Sequence, residues 1–413
     1  SNVFQALGIL LLLAAAASLL LFRSGTGRAG AVDRGNAGVL ALLALAFGEA
    51  WFVFPIEPSP GIGQRLLHYE DSSYHEILVT EDVLWPEGSG GTLAPVKNVH
   101  RWLKFNENIE SGIYPYVSEY SNAVSYTDLL HLPLIWINNP LPQRVLVVGG
   151  GGGVIPTQYS TWYNCQVDVA ELDPAVKRIA IEYFQVPQPP ASDKIHFYLG
   201  DGRQTLRRVL PDNTYDVVFL DAYSSGGQIP FHLLTWEFLA EAKAKLNERG
   251  VLLTNIISGL ANVSTQAAPR PADLFLAEYK TLKASRADAT GDPNADRTPL
   301  FKQVYVFPRD YPKHPIGGQN VEEYRNVIMI ATREEQALTI DELAARLNPL
   351  IESAKPVIKA ANMKWHVDHL HKGPSQKELD SVDVLRDDYA PVDTMYRPVK
   401  RDEFLRSISD DWE

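Results

Sequence analysis

Hydrophobic and polar positions follow three different rhythms along this chain. From Val3 to Phe22 (VFQALGILLLLAAAASLLLF) twenty residues pass without a charge, and Ala37–Ile56 carries only Glu49. A helix rises about 1.5 Å per residue, so about 20 residues cross the roughly 30 Å hydrocarbon core of a bilayer. The two runs predict a transmembrane helical hairpin over residues 1–57. For the first run the alternative is an uncleaved signal peptide. Its length, the lack of a basic segment before it and the second run after it favour the span. Pro55–Gly63 (PIEPSPGIG) then reads as a linker.

The second rhythm is that of short strands. His75–Thr80 and Val99–Phe105 cluster apolar residues around a turn at Gly88–Gly91, and residues 58–128 are expected to form a small β-rich subdomain. Leu129–Ile137 reads as helical. From Arg144 onward strand and helix patterns alternate. The strands are expected at Arg144–Val148, Val167–Glu171, Ile195–Leu199, Asp216–Leu220 and Val251–Ile257, with helices at Ala175–Phe184, Thr205–Val209 and Leu234–Leu246. Such alternation means parallel strands joined by crossover helices, hence a doubly wound α/β sheet over residues 129–335. Two last strands, Gln303–Phe307 and Val327–Ala331, are separated only by Pro/Gly-containing sequence. They predict the terminal antiparallel hairpin of a Rossmann-like, class I methyltransferase-type sheet. Residues 336–413 read as a helical, then irregular extension, with Thr339 capping a helix that runs to Ile351.

Charge and composition narrow the function classes. The formal net charge is −12 over 413 residues, which argues against nucleic acid as a partner, because that needs a basic surface to displace counterions. A single cysteine, Cys165, allows neither an internal disulfide nor a cysteine-based zinc site. His366, His369 and His371 match no metal motif with known mechanics, so no metal is expected. The loop between the two apolar runs carries Arg23, Arg28 and Arg34 against Asp33. By the positive-inside rule it is cytoplasmic, which places the C-terminal portion on the extracytoplasmic side. The lipid bilayer is then one partner, and a membrane protein is a possible second.

The residues that carry chemistry sit where expected strands end. The first strand runs into five glycines, Gly149–Gly153. Of these, Gly149, Gly150, Gly151 and Gly153 are candidates for a ligand cradle, since glycine lets backbone approach a ligand and the next helix offers free N–H groups. The second strand ends in Glu171-Leu172-Asp173, an acid about 20 residues after the glycines, suited to ribose hydroxyls. Asp173 also reads as a helix cap. The third strand ends in Gly200-Asp201-Gly202, a carboxylate able to accept from an adenine amino group. The fourth ends in Asp221-Ala222-Tyr223-Ser224, with a carboxylate and a tyrosine over the same edge.

In this order the motifs resemble the spermidine synthase (polyamine aminopropyltransferase) family. The resemblance covers about residues 66–260. It includes Tyr74–Val79, Leu129–Leu134, the glycine loop, Glu171-Leu172-Asp173, Gly200-Asp201-Gly202 and Tyr215–Asp221. Leu385–Asp393 (LRDDYAPVD) resembles the tail of membrane-fused members. The resemblance implies an adenosyl-sulfonium donor, S-adenosylmethionine or its decarboxylated form, with Glu171 at the ribose, Asp201 and Gly202 at the adenine, and Asp221 beside the attacking amine. Tyr126 and Tyr223 are the expected helpers of Asp221. Pairing into a homodimer is also implied.

The departures point to a changed acceptor. Gly152 stands where the family has an Asp, and Ser224 where its second acid falls. Ser125-Tyr126-Thr127 replaces Tyr-His-Glu, while His75 and Glu110 take the places of ligand-facing glutamines. Putrescine is a dication and needs carboxylates at both ends, so an acceptor other than plain putrescine is expected. Two alternatives stay open: a non-catalytic membrane-associated module that uses the fold for protein contacts, and a methyltransferase in which Gly152 leaves room for the donor's carboxylate.

Overall fold

The computed structural model describes residues 63–82, 99–106, 108–117, 120–137, 141–224, 227, 229–262, 270–309, 324–353 and 360–395. The two apolar N-terminal runs and the Gly88–Gly91 turn lie outside these residues. Among the described residues no helix is long and apolar enough to cross a membrane. All of them belong to one compact unit, Pro60–Glu413.

That unit holds two sheets. Strands β1 (Gln64–Asp71), β2 (Glu76–Asp82), β3 (Arg101–Phe105) and β4 (Asn108–Ile113) form an antiparallel meander in sequence order. The second sheet contains β5 (Arg144–Val148), β6 (Gln166–Glu171), β7 (Ile195–Leu199), β8 (Tyr215–Leu220), β9 (Leu246–Ser258), β10 (Gln303–Pro308) and β11 (Arg325–Thr332). Its order is β10-β11-β9-β8-β5-β6-β7, with β5 through β9 parallel and β11 antiparallel to both β9 and β10. This is a Rossmann-like, methyltransferase-type α/β sheet with the expected terminal hairpin.

The parallel strands form because their sequences suit burial on both faces. β5 reads RVLVV, and its residues alternate between two cores. Leu146 and Val148 face one, with Phe238, Leu239 and Ala242 of α4 (Trp236–Lys245) and Phe275 and Leu276 of α5 (Asp273–Lys283). Val145 and Val147 face the other, with Ile155 and Tyr159 of α1 (Val154–Trp162) and Leu343 and Leu347 of α7 (Ile340–Ser353). Such two-sided burial is typical of parallel sheets. At the amino edge the buried Asp168 accepts from Arg144 Nε at 2.9 Å and Tyr215 Oη at 2.6 Å, tying β5, β6 and β8 together.

Leu129–Ile137 departs from an ordinary helix. Residues Ser125–Ile135 form a 3-10 segment that contains Pro133, and Leu129–Ile135 are buried all round. Proline lacks the N–H that an α-helical ladder requires there. The small sheet packs on the large one through Ile77, Val79, Leu103, Phe105 and Ile113, which meet Val154 of α1 and Val176, Ile179 and Phe184 in and after α2 (Pro174–Tyr183). This contact brings β4 over the glycine loop. Thr339 caps α7 as expected, exchanging hydrogen bonds with Glu342.

Candidate active site at the carboxyl edge of the sheet

Strand order reverses at β5, which pairs with β6 on one side and β8 on the other. Crevices form at such switch points, outside the carboxyl ends of the strands. Here a cleft of about 210 Å³ opens, and Gly149, Gly150, Gly151, Glu171, Asp201, Gly202, Asp221, Tyr126 and Tyr223 all line it. The strand-end residues are thus gathered in one place. Gly153 lies outside this lining: it starts α1 in the left-handed conformation, and a Cβ there would stand 2.3 Å from Val186 Cγ2.

The loop after β5 is held close to β8 and β4. Gly149 has φ +94°, and a Cβ would meet the Asp221 carbonyl oxygen at 2.4 Å, so only glycine fits. The N–H of Gly150 donates to Glu171 Oε2 at 2.7 Å, while Asp173 N–H donates to Glu171 Oε1 at 2.8 Å. Burial raises the Glu171 pKa, and these backbone donors oppose the shift. Asp173 caps α2 by accepting from Ala175 N–H at 2.8 Å, as expected. At Gly152 the N–H donates to Ser111 Oγ of β4 at 2.9 Å, and a Cβ would stand 2.8 Å from Ser111 Cβ. The serine thus occupies space beside the loop where the resembled family has an acidic side chain.

Asp201 begins α3 (Gly202–Arg208), accepting from Gln204 N–H at 2.9 Å. Its other oxygen faces His232 Nε2 at 3.0 Å. Two residues on, the buried Arg203 pairs with Glu241 and, through both terminal nitrogens, with Asp387 at 2.6 and 2.8 Å.

Asp221 directly follows β8 and lines the cleft. Tyr126 Oη donates to its Oδ2 at 3.1 Å and Asn255 Nδ2 to its Oδ1 at 2.8 Å. Burial raises its pKa against these two donors. Glu110 of β4 lines the same cleft, and burial, reinforced by Asp221, pushes its carboxyl up to about 8. Burial and the two carboxylates also raise the Tyr126 phenol, which keeps it a hydrogen-bond donor rather than a base. Tyr223 directs its hydroxyl to the Asn255 carbonyl at 2.8 Å, back onto β9. It therefore supports the strand that carries Asn255.

Sequence reasoning missed Asn255, His232, Ser111 and Arg309. Asn255 carried a signal, a polar residue inside the apolar run VLLTNIIS. Arg309 follows β10 and donates from Nε to Ser125 Oγ at 2.7 Å on the cleft wall. Among the described residues no three His, Cys, Asp or Glu side chains cluster as metal ligands do. His366 is buried, its pKa pushed down to about 3 by burial and by Arg309.

The sheet order, the glycine turn and the acids at three successive strand ends define a Rossmann-like protein with a cleft at the carboxyl edge of its sheet. The family described as Spermine/spermidine synthase domain matches residues 123–260. It is 41% identical over 200 residues to the polyamine aminopropyltransferase of Vibrio vulnificus (strain CMCP6), an alignment covering 48% of this chain and 61% of the relative. It is 30% identical over 153 residues to spermidine synthase 1 of Hyoscyamus niger, covering 34% and 47% respectively. The chain therefore spans less than two thirds of the length of these relatives. Among solved structures, a spermidine synthase in complex with the transition state analogue AdoDATO aligns at 17% identity with a TM-score of 0.49, covering 77% of this chain and 89% of that one. A probable spermidine synthase from Corynebacterium glutamicum ATCC 13032 aligns at 16% identity with a TM-score of 0.48, covering 75% and 97%.

Proposed function

We propose that this chain is a membrane-anchored transferase that moves the aminopropyl group of decarboxylated S-adenosylmethionine onto an amine other than putrescine. The observation that carries this reading is the pairing of Asp221 with Glu110 in the cleft that also holds the glycine loop, Glu171 and Asp201. The turn after β5, where a Cβ would strike backbone, suits close approach of an adenosine. Glu171 takes the ribose hydroxyls and Asp201 the adenine amino group. Asp221 and Glu110 suit a cationic nitrogen, which loses its hydration on entering and needs negative partners.

In the reaction the acceptor nitrogen must lose a proton and meet the carbon beside the sulfonium in line. The new N–C bond forms as the C–S bond breaks, and its electron pair returns to sulfur, leaving neutral methylthioadenosine. Asp221, fixed by Tyr126 and Asn255, orients the nitrogen and takes up its proton; Glu110, protonated in the empty cleft, adds a second negative charge when the entering cation ionises it. Because Asp221 lies near enough to raise Glu110, the two carboxyls serve one end of the acceptor. The cleft also presents Ser125 and the Arg309 guanidinium, a poor setting for a second ammonium. The acceptor therefore carries a single cationic nitrogen near Asp221.

The test is incubation with decarboxylated S-adenosylmethionine and a panel of amines, with methylthioadenosine and the product masses measured. Asp221→Asn is expected to lower turnover by about 100-fold or more, on the scale of general base catalysis, with methylthioadenosine affinity retained. Transfer of methyl from S-adenosylmethionine instead of aminopropyl, or binding without any transfer, would overturn the reaction assigned here.

A further inference from the structure

Asp201 and His232 meet at one wall of the cleft but come from distant stretches of chain. Asp201 starts α3, while His232 lies in the short 3-10 turn Phe231–Leu233, just before Thr235 caps α4. What holds the two stretches in register is a third. Asp387, in the C-terminal segment, accepts from both terminal nitrogens of Arg203, two residues after Asp201. With the same Oδ1 it accepts from Thr235 Oγ1 at 2.7 Å, three residues after His232. Arg203 adds a weaker bond to the His232 carbonyl at 3.4 Å.

The backbone around Asp387 is docked just as firmly. Trp236 N–H donates to the Leu385 carbonyl at 2.8 Å, Asp387 N–H donates to Glu237 Oε2 at 3.0 Å, and Leu385 is fully buried. A bidentate guanidinium–carboxylate pair fixes orientation as well as distance. One carboxylate therefore sets the position of both partners in the Asp201–His232 contact.

We propose that Asp387 is a positioning residue for the adenine end of the donor, acting through Arg203 and Thr235 on Asp201 and His232. The proposal rests on the donor reading given above. The C-terminal segment is on this view a part of the nucleoside site, although it touches no ligand.

Calorimetric titration of the full chain with methylthioadenosine tests it. Asp387→Asn is expected to weaken binding about ten-fold, and Thr235→Val, which keeps the ion pair but removes the tie toward His232 together with the Phe238 N–H cap of α4, several-fold, with Thr235→Ser restoring it. Asp212→Asn removes the ion pair with Lys245 elsewhere in the domain, so it serves as the control. It is expected to lower the melting temperature while leaving affinity unchanged. If the wild type binds methylthioadenosine and Asp387→Asn and Thr235→Val bind it as tightly as Asp212→Asn does, all at a temperature where they remain folded, Asp387 is only structural and the proposal fails alone. If the wild type does not bind methylthioadenosine, the donor reading fails and takes this proposal with it.

Discussion

A carboxyl that keeps its proton in the folded chain up to a pH of about 8 leaves a measurable trace. Glu110 ionises at about its ordinary 4.5 once unfolded but holds its proton to about 8 when folded. Between those values the folded state binds the extra proton, so stability falls as pH rises across the window and levels off above it. Glu110→Gln should make this slope shallower, the raised carboxyls of Glu278, Glu171 and Asp221 keeping a share of it, and raise stability at pH 8 by about 1–2 kcal/mol, a value discounted because the side chain is partly open to the cleft. Chemical denaturation at pH 5 and pH 8 measures it; an equal slope in wild type and variant would remove Glu110 as its source. A cationic acceptor favours the ionised carboxyl, so its binding below pH 8 should release protons. That release appears as a dependence of the calorimetric heat on the buffer's ionisation enthalpy.

At the scale of elements, β4 and the glycine loop fit one another. Gly152→Asp would restore the acid of the resembled family, yet its Cβ would stand 2.8 Å from Ser111 Cβ. That single change is expected to cost about 1–3 kcal/mol, the usual range for overpacking. Ser111→Gly in the same chain should return most of the loss, by double-mutant analysis of melting temperatures. Additive losses would mean that the serine does not set the space. The large sheet was legible in the sequence because β5 through β8 are short apolar runs, and the acids that end them are fixed in place by the strands themselves. Glu171, Asp201 and Asp221 could be found for that reason. β9 extends well beyond the expected Val251–Ile257, since its first residues, Leu246–Gly250, carry no apolar pattern yet belong to the strand. The partners of the strand-end acids were harder to find. Glu110 reaches Asp221 only because the small sheet docks on α1 and α2, and His232 reaches Asp201 only because distant segments pack together.

For the molecule as a whole, anchoring in a bilayer through residues 1–57 remains a proposal, as does extracytoplasmic placement of the rest. The chain's own thiol cannot report on this, since Cys165 is buried and burial pushes its pKa up, leaving it inert. That silence is useful, because it gives a clean background for a reporter. Val209→Cys, at a side chain 58% exposed, should react with an impermeant maleimide on intact cells. Reaction only after lysis would put the domain in the cytoplasm. The Arg203–Asp387 pair also has a consequence for biosynthesis. Its two halves lie 184 positions apart, so a growing chain can assemble β5 to β9 with Arg203 tied to Glu241 and, more weakly, to the His232 carbonyl. The tie to Asp387 forms only when the late segment emerges from the ribosome, and the nascent sheet would then be folded well before the wall that Asp201 and His232 share is fixed in place.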